Sequence, residues 1–293
     1  MNLWNQLFSP MLLSEIDKPF NDNNYIYEIK YDGIRVLIYV NSSSLKIITR
    51  NKRDITYLFP ELEIIKDKIN ANVIFDGEII STVDGLPNFS AIQERIHLKD
   101  KNKIEYFSLN NPVTFVCFDI IYENKNLTNL SLLKRKEVLN KYEDDSCFVK
   151  SFYVEKEGIK LFREIKKMNL EGIVAKNKNS KYYINIRTDK WMKIKNFKSN
   201  VFLIGGYKVN KSLYVITILL GEYINAKLYY VGSCILNKKD DLYQKIIKSQ
   251  KVKNNFVNLN DNEAIYIKPS LKIEISYLER TKDNKLRGAF IKK

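Results

Sequence analysis

The sequence contains one histidine, three cysteines and no long apolar run, and each shortage excludes a class of protein. His97 as the only histidine argues against a hydrolase with a histidine triad and against a zinc site built from several histidines. The cysteines are odd in number and far apart, which is typical of reduced thiols in a cytosolic protein. No apolar run is long enough to span a membrane, so we expect a cytoplasmic protein with no membrane partner.

Other segments that mark particular protein classes are also missing. Residues 1–20 lack a basic stretch that leads into an apolar one, so we expect no secretory signal. The chain has no Pro-rich linker, internal repeat or long low-complexity tract. Its 293 residues, 45% apolar and 28% charged, can bury a sizeable core in one large domain or two smaller ones.

Acidic residues are few relative to basic ones. There are 34 Asp and Glu against 49 Lys and Arg, which gives a formal net charge of +15. This total favours a polyanion such as DNA, RNA or an anionic membrane, but lysine drift in an AT-rich genome explains it equally well. Residues 166–198 carry a net charge of +8 and residues 266–293 a net charge of +5. Uniform drift would not concentrate the charge in two segments, so its distribution favours a polyanionic partner.

The first two thirds of the chain alternate between strand-like and helix-like patterns. They predict an α+β fold dominated by antiparallel sheet. The Asp32-Gly33 pair between the first two predicted strands is a common turn sequence, so we expect those strands to form a hairpin. The predicted strands are 25–30, 34–40, 45–49, 73–80, 113–122, 172–176 and 191–195, and the predicted helices are 87–96, 132–142 and 155–168.

The pattern changes after Asn196. Strands are predicted at 201–208, 213–220, 226–233 and 264–277, with one helix at 240–249. This number of strands and one helix in a short segment suits a small closed β-barrel of the OB type. We place the boundary near residues 198–200, which gives predicted domains 1–198 and 199–293.

The segment 28–35, Glu-Ile-Lys-Tyr-Asp-Gly-Ile-Arg, has the strongest chemical signal. In a hairpin, Lys30, Asp32 and Arg35 would converge on one mouth. A lysine can act as a covalent nucleophile where neighbouring cations and partial desolvation favour its neutral amine. An ordinary hairpin with a solvent-facing lysine explains this segment alone equally well.

A second pattern places Lys193 and Lys195 two residues apart on a predicted strand, so both point to one face. Two ammonium groups on one face repel each other unless an anion lies between them, which suggests a phosphate site. An exposed edge strand would also carry such a pair. Two further segments, 75–78 (Phe-Asp-Gly-Glu) and 171–176 (Glu-Gly-Ile-Val-Ala-Lys), are weak signals alone.

In this order and spacing, the four elements resemble the covalent nucleotidyltransferase superfamily and, within it, the ATP-dependent DNA ligases. Segment 28–35 matches the KxDGxR nucleophile motif, and the resemblance covers almost the whole chain. It is closest to compact bacterial or phage ligases, including the ligase modules of bacterial end-joining enzymes. It implies a nucleotidyltransferase (adenylation) domain with antiparallel sheets, followed by a small OB-fold β-barrel. The remaining segments that resemble family motifs are 49–51, 54–56, 59–61, 118–122, 180–182, 187–191 and 205–207.

The resemblance also implies a role for each matching residue. Lys30 would attack the α-phosphorus of ATP to give lysyl-AMP. Without the resemblance, Phe118 and Val174 would be read as core residues. The other implied roles are adenine recognition by Glu28, ribose binding by Arg35 and Glu78, stacking on adenine by Phe118 and Val174, metal binding by Glu171 and Glu78, α-phosphate binding by Lys193 and Lys195, assistance in later steps by Asp32, and DNA binding by Arg50, Lys52 and Arg287.

The cofactors implied are ATP, with AMP as the covalent intermediate, and Mg²⁺, with Mn²⁺ as a substitute. The implied partner is nicked duplex DNA, sealed at a 5′-phosphate and a 3′-hydroxyl by a monomer. No separate DNA-binding domain is expected ahead of the catalytic domain. The family continues beyond a segment like 286–293 into Arg-x-Asp-Lys. We therefore expect either that Arg287, Lys292 or Lys293 replaces part of that motif or that self-adenylylation is slow.

Three alternatives remain open from the sequence. Two are enzymes of the same superfamily, an RNA ligase and a GTP-using mRNA capping enzyme. The third is a non-catalytic DNA-binding protein with a degenerate ligase fold. Replication, repair, end joining and phage metabolism are equally open as pathways.

Overall fold

The computed structural model describes residues 2–83, 85–210 and 214–292. Contacts within the chain divide it into two compact units, Met1–Asn196 and Phe197–Lys293. The sequence placed the domain boundary at 198, and that boundary stays a prediction. Lys293 and Leu213, the first residue of one predicted strand, lie outside the described residues.

The first unit contains twelve described strands, four α-helices and three 3₁₀ segments. In the described part of the chain, no helix is both long and apolar enough to cross a membrane. The strands are β1 (Leu12–Glu15), β2 (Tyr25–Ile29), β3 (Ile34–Val40), β4 (Leu45–Thr49), β5 (Val73–Ile80), β6 (Thr82–Val83), β7 (Leu86–Pro87), β8 (Thr114–Glu123), β9 (Phe148–Lys150), β10 (Tyr153–Glu155), β11 (Gly172–Asn177) and β12 (Arg187–Lys195). The helices are α1 (Phe89–Ile96), α2 (Lys101–Asn110), α3 (Leu132–Leu139) and α4 (Gly158–Lys167), and the 3₁₀ segments are Leu3–Asn5, Thr56–Leu58 and Pro60–Lys68.

Two five-stranded sheets organise this unit. One has the order β1-β12-β11-β2-β10 and the other the order β4-β3-β5-β8-β9. Their ladders are antiparallel except for β1 with β12 and β8 with β9, which are parallel. Alternate residues of β3 enter two different cores, Val36 and Ile38 in one and Leu37 and Tyr39 in the other. Because a strand points successive side chains to opposite faces, β3 is buried on both sides.

The predicted hairpin around Asp32-Gly33 is wrong. β2 and β3 belong to different sheets, so the segment between them crosses from one sheet to the other. A Cβ on Gly33 would lie 2.2 Å from the Ile79 carbonyl oxygen on β5. The glycine therefore permits a close crossing over a neighbouring strand, a different use from the turn that a DG pair normally signals.

Over its described residues, the second unit is built on a six-stranded curled sheet with one helix, a half-barrel. Its main path has the order β15-β14-β13-β17-β20, and β16 pairs with β13. The predicted strand 264–277 is broken into β16 and β17, with Pro269, which cannot donate a ladder hydrogen bond, between them. The elements are β13 (Lys198–Val209), β14 (Val215–Ile224), β15 (Lys227–Asn237), α5 (Asp241–Ile247), β16 (Ile265–Tyr266), β17 (Lys272–Tyr277), β18 (Glu279–Arg280), β19 (Leu286–Arg287) and β20 (Phe290–Ile291).

Candidate active site

Lys30 follows directly after β2, opposite the start of β11. Its backbone N–H donates to the Gly172 carbonyl oxygen at 2.9 Å, and its Nζ donates to Glu171 Oε2 at 2.6 Å. Gly172 has φ +151°, and a Cβ there would lie 2.1 Å from the Ile194 carbonyl oxygen. Only glycine therefore lets β11 begin this close to β12, and that approach places Glu171 beside Lys30.

Arg35 and Glu78 face each other across the β3–β5 ladder. The Arg35 guanidinium binds the buried Asp76 carboxylate with two hydrogen bonds, from Nε at 3.0 Å and from Nη2 at 2.7 Å. The Tyr182 hydroxyl donates to the same carboxylate at 2.7 Å. This bidentate pair holds Arg35 Cζ 5.3 Å from the centre of the Phe118 ring.

Glu28 is held by two lysines from other elements. Its Oε1 lies 2.6 Å from Lys136 Nζ, and its Oε2 lies 2.8 Å from Lys176 Nζ. The Ser151 hydroxyl also donates to Oε2 at 3.1 Å. Burial raises the pKa of the Glu28 carboxyl, but the two ammonium groups outweigh it, so the pKa is lowered and the group is ionised at neutral pH.

Lys176 is 2% exposed and lies among aromatic rings. Its Nζ is 4.3 Å from the centre of the Phe118 ring and 4.2 Å from that of Trp191. Burial lowers the pKa of this lysine from 10.5 to about 8, although the Glu28 carboxylate opposes the shift. The cluster of Glu28, Lys136 and Lys176 therefore contains two cations and one anion away from water.

Lys193 and Lys195 point to the same face of β12, as their spacing predicts. The anion between them belongs to the chain itself. Glu15 Oε2 lies 3.0 Å from Lys193 Nζ and 3.2 Å from Lys195 Nζ. In the β11–β12 ladder Lys193 is opposite Val174 and Lys195 is opposite Gly172, so both lysines neighbour the strand that leads from Glu171.

Six of the predicted site residues line one cavity of about 70 Å³. The larger cavity of about 610 Å³ lies between residues 65–71 and 141–148 and contains none of them, so we assign the chemistry to the smaller one. The lining of the smaller cavity consists of the predicted Glu28, Lys30, Arg35, Glu78, Phe118 and Val174, together with Leu13, Ile29, Tyr31, Lys176 and Trp191.

Glu78 and Glu171 supply the carboxylates expected to bind metal. Burial raises the pKa of Glu78 to about 8, and the Glu171 and Asp76 carboxylates add to the rise against the opposing charges of Lys30 and Arg35. A divalent cation offsets the repulsion that raises the pKa of Glu78, so its binding favours the ionised form of this carboxyl group. Mg²⁺ is usually bound by one or two carboxylates plus phosphate oxygens, so this pair fits the ion.

Arg50 and Lys52 lie outside the cavity, in an exposed three-residue loop after β4. Thr49 and Arg53 pair at its base, where Thr49 N donates to Arg53 O at 2.9 Å, and Lys52 N donates to Thr49 O at 2.8 Å. Lys52 has φ +63°, a left-handed conformation that glycine adopts without cost. The loop therefore presents two cations to solvent at the expense of backbone strain.

The remaining predicted residues lie in two places. Asp32 is half-buried in the crossing between the two sheets. Arg287 is on β19 of the second unit, where its Nε lies 2.9 Å from Glu279 Oε1. Sequence reasoning assigned no role to Glu15, Lys136 or Ser151, which belong to no motif. Three other residues lie inside segments that resemble family motifs, and that location is the only sign of them in the sequence: Lys176, Asp76 and Trp191.

Comparison with known proteins gives a consistent family. The family model described as the ATP dependent DNA ligase domain matches residues 10–195. The SPbeta prophage-derived DNA ligase-like protein LigB of Bacillus subtilis is 39% identical over 204 residues, which cover 68% of this chain and 71% of that protein. The multifunctional non-homologous end joining protein LigD of Mycolicibacterium smegmatis is 25% identical over 295 residues. That match covers 96% of this chain but only 37% of LigD.

Solved structures show the same fold. Mycobacterial DNA ligase D, solved in complex with ATP and MES, superposes with a TM-score of 0.62 at 22% identity and covers 99% of this chain and 94% of that one. A Lig E DNA ligase described as binding DNA with a minimal scaffold superposes with a TM-score of 0.66 at 15% identity, with 98% and 99% coverage. The expected nucleotidyltransferase domain followed by an OB-like domain is thus confirmed.

Proposed function

The chain belongs to the ATP-dependent DNA ligase family, and from that premise we propose that Lys30 is the nucleophile that carries AMP to a nicked DNA duplex. The observation that carries the proposal is the Lys30–Glu171 pair at 2.6 Å beside the cavity lined by the predicted nucleotide-binding residues. Family membership also decides against the capping enzyme, the RNA ligase and the non-catalytic protein.

The first step is attack of Lys30 Nζ on the α-phosphorus of ATP. A P–N bond forms, the bond to the β-phosphate oxygen breaks, and pyrophosphate leaves. Lys30 must lose a proton for its lone pair to attack, and Glu171 Oε2 is within hydrogen-bond distance to accept it. Lys193 and Lys195 would bind the α-phosphate and stabilise the negative charge that builds there. The DNA 5′-phosphate then takes the AMP, and the 3′-hydroxyl displaces it.

Nucleotide binding requires the cavity to open. Its volume of about 70 Å³ is far below the ~300–1,000 Å³ of typical ligand sites. Phe118 and Val174 line it, so separation of their side chains would create a slot for adenine. Glu28, ionised and accepting only, suits the exocyclic amine of adenine and not the carbonyl of guanine. Arg35 and Glu78 would hold the ribose hydroxyls.

Glu171 and Glu78 are proposed to hold a divalent metal. Bound there, Mg²⁺, or Mn²⁺ in its place, would supply positive charge that neutralises the phosphates of ATP. Asp32, two residues after the nucleophile, is proposed to assist the later steps.

DNA binding is proposed for the exposed loop at Arg50 and Lys52, with Arg50 on the nick phosphate, and for Arg287.

The proposed domains are 1–198 for adenylation and 199–293 for the OB fold. The enzyme is proposed to act as a cytoplasmic monomer without a membrane partner. Cys117, Cys147 and Cys234 are free thiols, which suits a reducing compartment.

The test is the Lys30→Ala variant, assayed with ATP labelled on its α-phosphate. We expect labelled protein from the wild type and none from the variant. We also expect the variant to bind nicked duplex with about wild-type affinity, because Lys30 is 22% exposed and already paired with Glu171. GTP serves as the control nucleotide and should label neither protein.

A second substrate separates nucleophile loss from general damage. Duplex whose nick already carries 5′-AMP bypasses the lysine, so Lys30→Ala should still seal it. If the variant seals an ordinary nick with only ATP and Mg²⁺ supplied, Lys30 is not the nucleophile.

A further inference from the structure

Glu15 occupies a position that no motif marks. It is the last residue of β1, and in the parallel ladder it is the register partner of Lys193. The following residue continues the attachment, because Ile16 N donates to the Lys193 carbonyl oxygen at 3.1 Å. The backbone therefore fixes the Glu15 side chain beside the proposed α-phosphate ligands.

One oxygen of Glu15 serves both lysines, at 3.0 Å from Lys193 Nζ and 3.2 Å from Lys195 Nζ. Burial raises the pKa of Glu15, but hydrogen bonding and charge from Lys193 and Lys195 outweigh it, so the pKa is lowered. The carboxylate is therefore ionised at neutral pH. It holds the two ammonium groups together as a phosphate oxygen would.

We propose that Glu15 is an internal competitor of the nucleotide phosphate for Lys193 and Lys195, and that it sets the affinity of the site for ATP and AMP. The proposal rests on the proposed function, in which these two lysines bind the α-phosphate. A phosphate on the same donors brings its negative charge against the carboxylate, so Glu15 has to give way. Its side chain is 40% exposed, against 25% and 20% for the lysines, so rotation into solvent releases it without backbone movement.

Competition from Glu15 would assist catalytic turnover by favouring release of AMP. A ligase has to bind ATP, hold AMP through two transfers and then release it. A carboxylate that returns to the lysine pair weakens every phosphate ligand by a similar factor, and that favours release of AMP. Exposed ion pairs are individually weak, so loss of two such contacts corresponds to about a two- to thirtyfold change in affinity.

The experiment measures binding of α,β-methylene-ATP with Mg²⁺ by calorimetry, after pyrophosphate has removed any AMP from Lys30. The methylene bridge prevents cleavage between the α- and β-phosphorus atoms, so only binding is recorded. We expect Glu15→Gln to bind about two- to thirtyfold more tightly than the wild type. Glu164→Gln is the matched control, because Glu164 forms an ion pair with Lys167 at 2.8 Å on the surface of α4. The affinity of this variant for α,β-methylene-ATP should equal that of the wild type.

Three further measurements, on Glu15→Ala, on thermal melting and on two lysine variants, make the outcomes distinct. Glu15→Ala repeats the test in case the amide itself supplies a new hydrogen bond, and thermal melting checks that each variant folds. If both Glu15 variants bind as the wild type does or more weakly, the competitor role is overturned. If Lys193→Met and Lys195→Met also bind normally, the α-phosphate assignment itself is wrong. If the lysine variants lose affinity while the Glu15 variants do not gain it, only the Glu15 proposal fails.

Discussion

The Glu28 cluster shows how much of the site can be derived at the scale of single residues. The sequence identified Glu28 because it precedes Lys30 in a known motif. It did not reveal that Lys136 and Ser151, more than a hundred residues away, hold the same carboxylate. Contacts of this kind depend on tertiary packing, and a lysine on a helix gives no local sign that its ammonium group will be buried.

Lys176 gives a prediction about pH and stability. Its pKa is about 8 in the folded protein, against 10.5 for an ordinary lysine, because burial disfavours its charged form. Between these values the unfolded chain binds more protons than the folded one, so this residue makes stability rise with pH. From about pH 7 to about pH 9.5, we expect the wild type to gain about 2 kcal/mol relative to Lys176→Met.

The measurement is urea unfolding of both proteins at the two pH values, followed by tryptophan fluorescence. Trp4 and Trp191, the two tryptophans, are both in the first unit, so the signal reports on the domain that contains Lys176. Tyrosines with raised pKa values lower stability at high pH in both proteins, and the difference between the curves removes them. A difference that stays constant with pH would show that Lys176 does not titrate in this range.

At the scale of elements, periodicity predicted where strands lie in the sequence better than it predicted which strands pair with each other. The strand at 73–80 is found as β5 with the same bounds, because β-favouring apolar residues stand on both sides of its central Asp-Gly-Glu. The hairpin at Asp32-Gly33 was wrong because a DG pair signals a turn locally, whereas the sheet in which each strand finds its partner is settled by packing. The short β1, which supplies Glu15, was not predicted at all, since four residues carry too little pattern.

The start of β11 gives a prediction at this scale. In Gly172→Ala the new Cβ would meet backbone atoms of β12, the nearest at 2.1 Å, and a backbone has to move to relieve the contact. We expect a loss of about 1–3 kcal/mol in the free energy of unfolding of the first unit. The movement would separate Glu171 from Lys30, so adenylylation should fall on the order of 10²-fold.

Gly85→Ala is the matched control for this substitution. Gly85 also has a positive φ, +78°, but a Cβ there would meet no atom within 4 Å. It should cost about 1 kcal/mol from the left-handed backbone and leave adenylylation unchanged. Equal loss of adenylylation in both variants would mean that backbone conformation, and not the contact with β12, determines the effect.

At the scale of the whole molecule, a count of charges from the sequence overstates the charge left for a partner. Six of the ten basic residues in segment 166–198 have carboxylate partners within the chain. The exposed loop at Arg50 and Lys52 lies outside both basic segments. Among the described residues, no carboxylate forms an ion pair with either side chain. Charge density along the sequence therefore points to the lysines proposed to bind the nucleotide phosphate and does not mark the loop proposed to bind DNA.

The loop allows one charge to be removed without damage to the fold. Because Lys52 has φ +63°, Lys52→Gly keeps the turn and relieves its strain, so the folding free energy should not fall. If Lys52 contacts a DNA phosphate, its loss should reduce the slope of log affinity against log salt concentration by about 0.9, since one fewer counterion is released. Binding to a nicked duplex that lacks its 3′-hydroxyl, measured across a salt series, gives the slope without sealing.

Lys134→Gln removes the same charge from the exposed Lys134–Glu137 pair on α3 and should leave the slope unchanged. Equal slopes for the two variants would show that Lys52 acts only through net charge, because both lower it from +15 by one.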